Sequence, residues 1–295
     1  MSDSTAATPP LPMPRLRALL GLRGVPWLSL IILGALLVAA IAGEWLAPWD
    51  PNDIDLGAAF QPPVWAAGGD AAHLLGTDNL GRDILSRIIA GSRVSVVVAL
   101  YAIAFSGSIG ALIGMLAGYF GGWVDTVIMR LVEIQSSIPA VALALILAAA
   151  LEPGLDTVII VIVLTYWSWY ARIIRGEVLS LKTRDYVAFA RVAGVSTAVI
   201  FRRHLLPNIM NTLLVLATLQ VGQVIIFEAS LSFLGLGIQQ PDVSWGLMLS
   251  DARQYITNAW WAITMPGLAI MLTCLSANLF GDWLRDRLDP RMRQL

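Results

Sequence analysis

Glu228 is the residue whose type and position are chemically most unusual in this 295-residue sequence. It is the only charged residue between His204 and Asp242, within an otherwise apolar run. An ionisable group inside a membrane is costly and by default marks a functional site, such as the proton or cation site of an ion-coupled carrier. A structural acid that lies near the membrane edge, or that pairs with a local hydrogen-bond donor, fits the same position. The sequence allows both interpretations.

Signatures of catalysis are missing from the rest of the sequence. The single lysine, Lys182, follows Leu181, so there is no phosphate-binding G-x-x-x-x-G-K-[ST] loop. The H-E-x-x-H and G-x-S-x-G patterns are also missing. Cys274 is the only cysteine, which excludes a disulfide within the chain. We therefore predict a chain that is not an enzyme and that binds no cofactor or metal of its own.

The composition indicates that the chemistry is carried by membrane helices. Hydrophobic residues make up 57% of the chain and charged residues only 13%, whereas a soluble domain carries roughly 25% charged residues. A helix needs about 20 apolar residues to cross the hydrocarbon core. Six stretches with few charges approach that length; they follow Arg23, Arg93, Glu133, Asp156, His204 and Arg253. The sequence predicts an all-α membrane protein with about six transmembrane helices.

The distribution of lysine and arginine predicts the orientation of these helices. Six crossings put 15 of the 19 lysines and arginines on the side of both termini, and this excess marks the cytoplasmic side. The net charge of −1 gives no reason to expect nucleic-acid binding. The predicted division is a cytoplasmic, partly disordered tail (1–24), a first transmembrane helix (25–47), an extracytoplasmic loop (48–92), a transmembrane core (93–284) and a cytoplasmic tail (285–295). A cleavable signal peptide is the alternative for the N-terminal segment.

Two features of the first half of the chain predict local structure. Asp78 or Asn79 can cap a short amphipathic helix at about 77–89, which we place on the outer membrane surface at the end of the extracytoplasmic loop. Farther on, Gly110, Gly114 and Gly118 recur at four-residue spacing. Small residues on one face of a membrane helix allow another helix to approach closely. We expect a helix–helix contact there, with an unidentified partner helix.

The polar segment at about 183–207 is the most informative part of the sequence. Thr183 is a candidate cap for a first helix, and Gly194 is a natural helix stop. Ser196 is the candidate cap of a second helix that Pro207 would end. The first helix carries an aromatic face, with Tyr186 and Phe189, that has no membrane to bury it. Such a face usually docks on a partner, although packing against the chain's own helix ends is the alternative.

The same segment resembles the "EAA" loop of ABC-importer permeases. The matching stretches are residues 185–194 (DYVAFARVAG) and 204–208 (HLLPN). The family's Glu-Ala-Ala falls on Ala188, Phe189 and Ala190, so only the last alanine is kept. Three further stretches are similar to the C-type subunit of dipeptide/oligopeptide permeases, namely 75–83 (LGTDNLGRD), 228–237 (EASLSFLGLG) and 280–290 (FGDWLRDRLDP). The resemblance covers roughly residues 25–292.

The resemblance implies a MetI-like type I ABC importer fold with a cytoplasmic coupling helix, in a bacterial inner membrane. It implies a second homologous permease subunit, two ATP-binding subunits that use ATP and Mg, an extracytoplasmic substrate-binding protein and membrane lipid as partners. The expected coupling residues are Asp185, Tyr186, Phe189, Ala190, Gly194, His204 and Pro207. The expected cargo is a dipeptide or oligopeptide, with nickel complexes, glutathione or oligosaccharides as alternatives. An ion-coupled carrier that uses Glu228, and a scaffold without a pathway, are the alternatives of other classes.

Overall fold

Long helices dominate the computed structural model, which describes residues 25–288. Five of them lie in stretches that are long and apolar enough to cross a membrane. We label them α1 (Trp27–Leu46), α2 (Ile84–Phe120), α5 (Leu155–Leu181), α8 (Leu206–Phe233) and α10 (Trp260–Leu288). The prediction of an all-α membrane protein is confirmed. The charge-free stretch between Asp156 and Arg172 is short for a full crossing, and α5 makes up the length by extending past Arg172 to Leu181. Three predicted features lie outside the described residues: the N-terminal tail (1–24), the basic segment of the possible signal peptide (Arg15 to Arg23) and the Asp289-Pro290 pair.

The remaining crossing is a bent pair of helices, α3 (Gly122–Ser137) and α4 (Ala140–Ala149), whose axes differ by 88°. The prediction of a single crossing between Glu133 and Glu152 is therefore wrong in its shape. Ile138 has an extended backbone between the two helices, because a residue before proline is disfavoured in the helical region. Counting the bent pair as one span gives six spans.

α2 runs without interruption for 37 residues, or about 55 Å. The prediction of a separate amphipathic helix at 77–89 is wrong, since Ile84 begins the long helix itself. Asp83 caps it by accepting a hydrogen bond from the Ser86 amide at 2.8 Å. Ile84 and Arg87 are buried rather than facing a membrane surface. Their face is covered by the rest of the fold, including α9 (Trp245–Ala252).

The three predicted packing glycines of α2 all lie against α5. A Cβ added at Gly110 would lie 2.5 Å from the Trp167 carbonyl oxygen, and one added at Gly114 would lie 2.5 Å from the Ala171 carbonyl oxygen. At Gly118 the nearest atom, the Arg175 carbonyl oxygen, would be 2.9 Å away. Real Cβ atoms do not approach backbone that closely. Glycine at these positions therefore sets the distance between the two helices, and the partner helix that the sequence left unidentified is α5.

A group of two arginines and two aspartates, here called the clamp, holds the α1–α2 loop to α9. Arg82, Arg87 and Asp78 are buried, and Asp251 is partly exposed. Asp78 accepts hydrogen bonds from Arg82 Nε at 2.7 Å and from Arg87 Nη1 at 2.6 Å. Asp251 of α9 accepts from Arg82 Nη2 at 3.1 Å and lies 3.6 Å from Arg87 Nη2. The four formal charges cancel within the group. Two cations can be buried at this end of α2 because each has an anionic partner in reach.

Other residues of the 75–83 stretch shape the same loop. Thr77 Oγ1 accepts from the Gln61 amide at 2.8 Å and donates to the Ala58 carbonyl oxygen. Gly81 has a φ of +76°, and a Cβ there would overlap the Asp55 carbonyl oxygen at 1.7 Å. A turn that tight, in a left-handed conformation, requires glycine. The stretch therefore acts in the structure as a folding element that anchors the start of α2.

Replacing Asp78 by asparagine tests the clamp. Asp78→Asn leaves two buried guanidinium groups with Asp251 as their only anionic partner, and breaking a buried pair in this way costs on the order of 3–5 kcal/mol. We expect a clearly lower melting temperature of the purified protein in detergent.

Glu44→Gln is the matched control, because the Glu44–Arg93 pair is exposed at both side chains and such pairs contribute little. A melting temperature of Asp78→Asn equal to that of Glu44→Gln would contradict the clamp's structural role.

Candidate functional site: the elbow between α5 and α8

The segment of residues 183–207, here called the elbow, turns the chain between α5 and α8. Its first helix is α6 (Asp185–Val192). Gly194 follows with a φ of +72°. The Gly194 amide donates to the Arg191 carbonyl oxygen and the Val195 amide to the Ala190 carbonyl oxygen, both at 3.1 Å. These two bonds form a Schellman motif, which satisfies the last carbonyls of the helix and requires a left-handed residue. The structure thus places Gly194 at a helix stop.

The elbow's other helix ends differ from the sequence prediction. Thr183 does not cap α6: its Oγ1 donates to the Ser180 carbonyl oxygen at 2.9 Å, and Arg184 occupies the cap position. Ser196 occupies the cap position of α7 (Thr197–Ile200). Pro207 does not end the second helix, because a π-helical turn at Phe201–Leu205 carries α7 directly into α8. Pro207 sits in the first turn of α8, where a missing backbone N–H is tolerated.

Apolar residues on the inner side of the elbow anchor it to the helix ends. Val187, Ile200 and Leu205 are fully or almost fully buried. They belong to one cluster with residues of α2, α5 and α8, namely Ala111, Met115, Ile174, Val178, Leu181 and Ile209. Tyr119 near the end of α2 adds an edge-to-face contact with Phe201, with ring centroids 5.1 Å apart. The elbow is therefore packed against the ends of these spans.

Polar contacts fix the end of α5 just before the elbow. Arg175 makes a two-pronged ion pair with Asp125 of α3, in which Nε lies 3.0 Å from Oδ1. Lys182 Nζ donates to the Gly118 carbonyl oxygen at 2.7 Å, which satisfies a carbonyl in the last turn of α2. The Arg191 guanidinium lies over the Tyr119 ring, 5.1 Å from its centroid. These contacts join α2, α3 and α5 at the base of the elbow.

The opposite side of α6 exposes an apolar surface. Phe189 is 72% exposed and Val192 is 88% exposed, and Tyr186 beside them is 39% exposed. Ala190 instead lies half-buried against the anchoring cluster. Burial of an apolar side chain such as phenylalanine is worth about 1.5–3 kcal/mol. Phe189 and Val192 are thus the two residues that would gain most from a docked partner.

The other predicted coupling residues surround this surface. Asp185 is exposed in the first turn of α6, where a carboxylate is favoured by the helix dipole. The His204 ring lies 6.0 Å from the Tyr186 ring, and its backbone oxygen accepts from Asn208 Nδ2 at 2.6 Å. Val192 was not predicted from the sequence. Its spacing of three residues from Phe189 was the available signal.

Glu228 lies far from the elbow, in the last turns of α8. It is completely buried, and its Oε1 accepts from Ser232 Oγ at 2.8 Å. Ser232 Oγ in turn accepts from the Ile238 amide at 3.0 Å. The carboxyl group therefore ties the end of α8 to the loop that follows it. This geometry matches a structural acid that pairs with a local donor.

Comparison with known proteins shows that most of the chain is similar to transport permeases. The family model described as "Binding-protein-dependent transport system inner membrane component" matches residues 110–294, and "N-terminal TM domain of oligopeptide transport permease C" matches residues 25–63. The di/tripeptide transport system permease protein DppC of Pseudomonas aeruginosa is 42% identical over 90% of this chain and 88% of its own. The nickel transport system permease protein NikC of Escherichia coli is 41% identical over 90% of this chain and 94% of its own.

The fold is also similar to that of a solved structure. A chain of the MetNI methionine ABC transporter, solved in inward-facing conformations, aligns with a TM-score of 0.57 at 18% identity. The alignment covers 70% of this chain and 98% of that chain.

Two substitutions of Glu228 test its role. Glu228→Gln keeps an oxygen acceptor for Ser232 Oγ, so we expect the melting temperature of the wild type. Glu228→Leu leaves the buried hydroxyl without its acceptor, which costs about 1–3 kcal/mol, and we expect a lower melting temperature. If both variants melted equally low, the charge of the carboxylate, rather than its hydrogen bond, would be what the fold uses.

Proposed function

The chain belongs to the family of binding-protein-dependent transport system inner membrane components, and we propose that its elbow couples it to separate ATP-binding subunits in an importer of dipeptides or oligopeptides. It is a membrane-spanning permease subunit of the ABC-importer type. One observation carries the coupling proposal: an exposed Phe189–Val192 surface stands on a helix whose other side is anchored in three spans. An apolar face presented in this way outside the membrane is suited to a protein partner.

The proposed assembly contains this chain together with one copy of a related permease subunit. A second, homologous permease subunit would complete the pathway, two ATP-binding subunits would bind the elbows, and a binding protein would deliver the cargo on the opposite side. The family's printed description, "binding-protein-dependent", supports the last partner. ATP and Mg would be bound and used in the ATP-binding subunits.

The orientation follows from charge. Seven lysines and arginines lie between Arg172 and Arg203, around the elbow, and this excess favours the cytoplasmic side. Arg82 and Arg87, which lie at the other end of α2, are both neutralised within the clamp. We therefore place both termini and the elbow in the cytoplasm of a bacterial cell.

The mechanism uses the elbow as a lever. Closure of the ATP-binding pair on ATP would displace α6, and the anchoring cluster would pass this displacement to the ends of α2, α5 and α8. The spans would adopt two packed arrangements, one open to each side of the membrane. These arrangements would differ in their contacts with the ATP-binding subunits, and such a difference is what allows ligand binding to shift a protein between two states. Substrate would enter in one arrangement and leave in the other.

The cargo is argued from relatives. The two permeases named above carry a di/tripeptide and a nickel label at almost equal identity, and a probable D,D-dipeptide transport system permease of Escherichia coli is 41% identical. Peptide labels therefore outnumber the metal label, which favours a peptide. Nickel complexes, glutathione and oligosaccharides are the alternatives that the same machinery would allow.

An ion-coupled carrier has less support. Its proton or cation site would be Glu228, and such sites face a bundle interior or a water-filled cavity. Glu228 is completely buried, but one oxygen of its carboxyl group is already hydrogen-bonded to Ser232 of the same helix. None of the relatives named above is labelled an ion-coupled carrier.

A charge placed on the exposed elbow surface tests the coupling proposal. Phe189→Glu would bury a carboxylate in an apolar contact, which is costly without a partner charge. We expect the purified complex to lose its ATP-binding subunits, or to hydrolyse ATP without importing a labelled dipeptide into proteoliposomes, while the chain still inserts and folds.

Leu56→Glu is the matched control, because Leu56 is 69% exposed and lies in the α1–α2 loop, at the clamp end of α2. We expect normal assembly and uptake from it. Coupled uptake at the wild-type rate by Phe189→Glu would refute the docking surface.

A further inference from the structure

A cleft of roughly 520 Å³ with both polar and apolar walls opens among the bent pair, α5 and α8. Half of its twelve lining residues carry amide or hydroxyl groups (Gln135, Ser136, Thr165, Ser168, Gln220 and Gln223), and the other half are apolar or aromatic (Ile138, Pro139, Ala140, Leu143, Tyr166 and Trp169). None of the residues that line it within the described chain is charged. The cleft is distinct from both the clamp and the elbow, and no sequence motif pointed to it.

The cleft lies near the middle of the membrane. Gln135 Nε2 donates to the carbonyl oxygens of Leu164 and Thr165 at 2.6 and 2.9 Å. Thr165 is the eleventh residue of α5, and is therefore about 15 Å along that helix from its start. Gln220 lies 13 residues before the end of α8, or about 20 Å. Polar side chains at this depth are expensive unless they face water, protein or cargo.

The broken backbone at Ile138 and Pro139 lines the cleft. Non-helical backbone at membrane depth is tolerated only where protein buries it or where it borders a water-filled cavity. The break also places the start of α4, at Ala140, in the cleft wall. The first amides of a helix have no carbonyl partner within it and carry partial positive charge.

Gln220 provides an independent indication of a ligand. Its side chain is only 4% exposed, and its Nε2 has no hydrogen-bond partner among the described residues. A buried unsatisfied donor costs about 1–3 kcal/mol. An apolar residue of similar size would avoid that cost. Of the buried side-chain atoms without a partner among the described residues, the Gln220 amide is the one that lines the cleft, where it is available to a ligand that enters.

We propose that this cleft is the stretch of the import pathway contributed by this subunit, and that it binds the peptide backbone of a short peptide through glutamine amides and hydroxyl groups. The proposal rests on the permease function proposed above. The amides of Gln220 and Gln223 each offer a donor and an acceptor, as a peptide group does, whereas the Gln135 amide already donates to two backbone carbonyls. Neutral groups of this kind bind backbone regardless of side chain, which suits varied peptides. Arg172 on the rim, whose Nη2 donates to Ser136 Oγ at 2.9 Å, is a partner for a terminal carboxylate.

Cysteine labelling of the assembled, reconstituted complex tests whether the cleft is a water-filled pathway. In a Cys274→Ala background, we expect Gln223→Cys to react with a positively charged methanethiosulfonate reagent. We also expect the rate to change between the nucleotide-free and the vanadate-trapped state. Leu214→Cys is the control: Leu214 is exposed in an apolar groove with α1 and α2, so its thiol should be inert. Equal inertness of Gln223→Cys in both states would overturn the proposal and would indicate a packed interface instead.

Uptake of radiolabelled dialanine tests the role of the amides. Gln220→Leu should not lower the melting temperature, because it removes an unsatisfied buried group. Combined with Gln223→Leu, it should lower uptake about tenfold, the value of one to two lost hydrogen bonds. Gln239→Leu makes the same change in an exposed loop and should import dialanine at the wild-type rate. Wild-type uptake by the double variant would overturn the proposal.

The two failures are separable. If the unmutated complex took up no dialanine, the proposed peptide function would fail whatever the labelling result. If it took up dialanine while the double variant behaved like the wild type, the pathway assignment alone would fail.

Discussion

The close contact between α2 and α5 is the constraint on which the rest of the structure depends. Glycines at 110, 114 and 118 allow the two helices to touch backbone to backbone over two turns. Lipid gives helices no hydrophobic reason to associate, so packing at short range has to supply the attraction. α2 starts at the clamp and ends beside the elbow, while α5 carries one wall of the cleft and leads into the elbow. This one contact thus sets the relative positions of all three regions.

A second constraint is that polar groups within the membrane need partners. The clamp, at the outer end of α2, pairs four charges that cancel, and one carboxyl oxygen of Glu228 within α8 is paired with Ser232. Several buried polar atoms of the described residues have no partner, and the Gln220 amide is the one among them that lines the cleft. Buried polar groups without a hydrogen-bond partner are expected at functional sites, where some stability of the fold is lost in favour of binding. The contrast between clamp and cleft separates the residues that hold the fold from those available to cargo.

Features encoded by local sequence were predicted well. Charge-free runs located the spans, and Gly194 marked a helix stop because a left-handed residue at a helix end favours glycine. The elbow between α5 and α8 followed from its polar composition. The predictions that were wrong all involved context. Pro207 was expected to end a helix, but the π-helical turn before it lets the helix continue. The 77–89 segment looked amphipathic because Arg87 is polar, yet its partners lie in the α1–α2 loop and in α9.

The cleft could not be predicted, because its polar residues come from three separate parts of the chain and share no spacing. Gln135 follows charged residues on α3, and Gln220 and Gln223 are isolated in an apolar run. Only the bend at Ile138 brings them together. The partner of the glycine face was equally hidden, since spacing shows that a helix approaches but not which one. Local sequence therefore predicts the fold class and the elbow, whereas the cleft depends on tertiary structure.

The melting temperature of the purified protein with Gly114→Ala, compared with Gly34→Ala, tests the central contact most directly. A Cβ at Gly114 would meet backbone at 2.5 Å, whereas one at Gly34 has nothing within 4 Å. Overpacking typically costs about 1–3 kcal/mol, whereas alanine in place of an unconstrained helical glycine stabilises by roughly 0.5–1 kcal/mol. The α2–α5 constraint predicts a lower melting temperature for Gly114→Ala and an equal or higher one for Gly34→Ala. If Gly114→Ala melted at or above the wild-type temperature, the close contact would not be what holds the structure together.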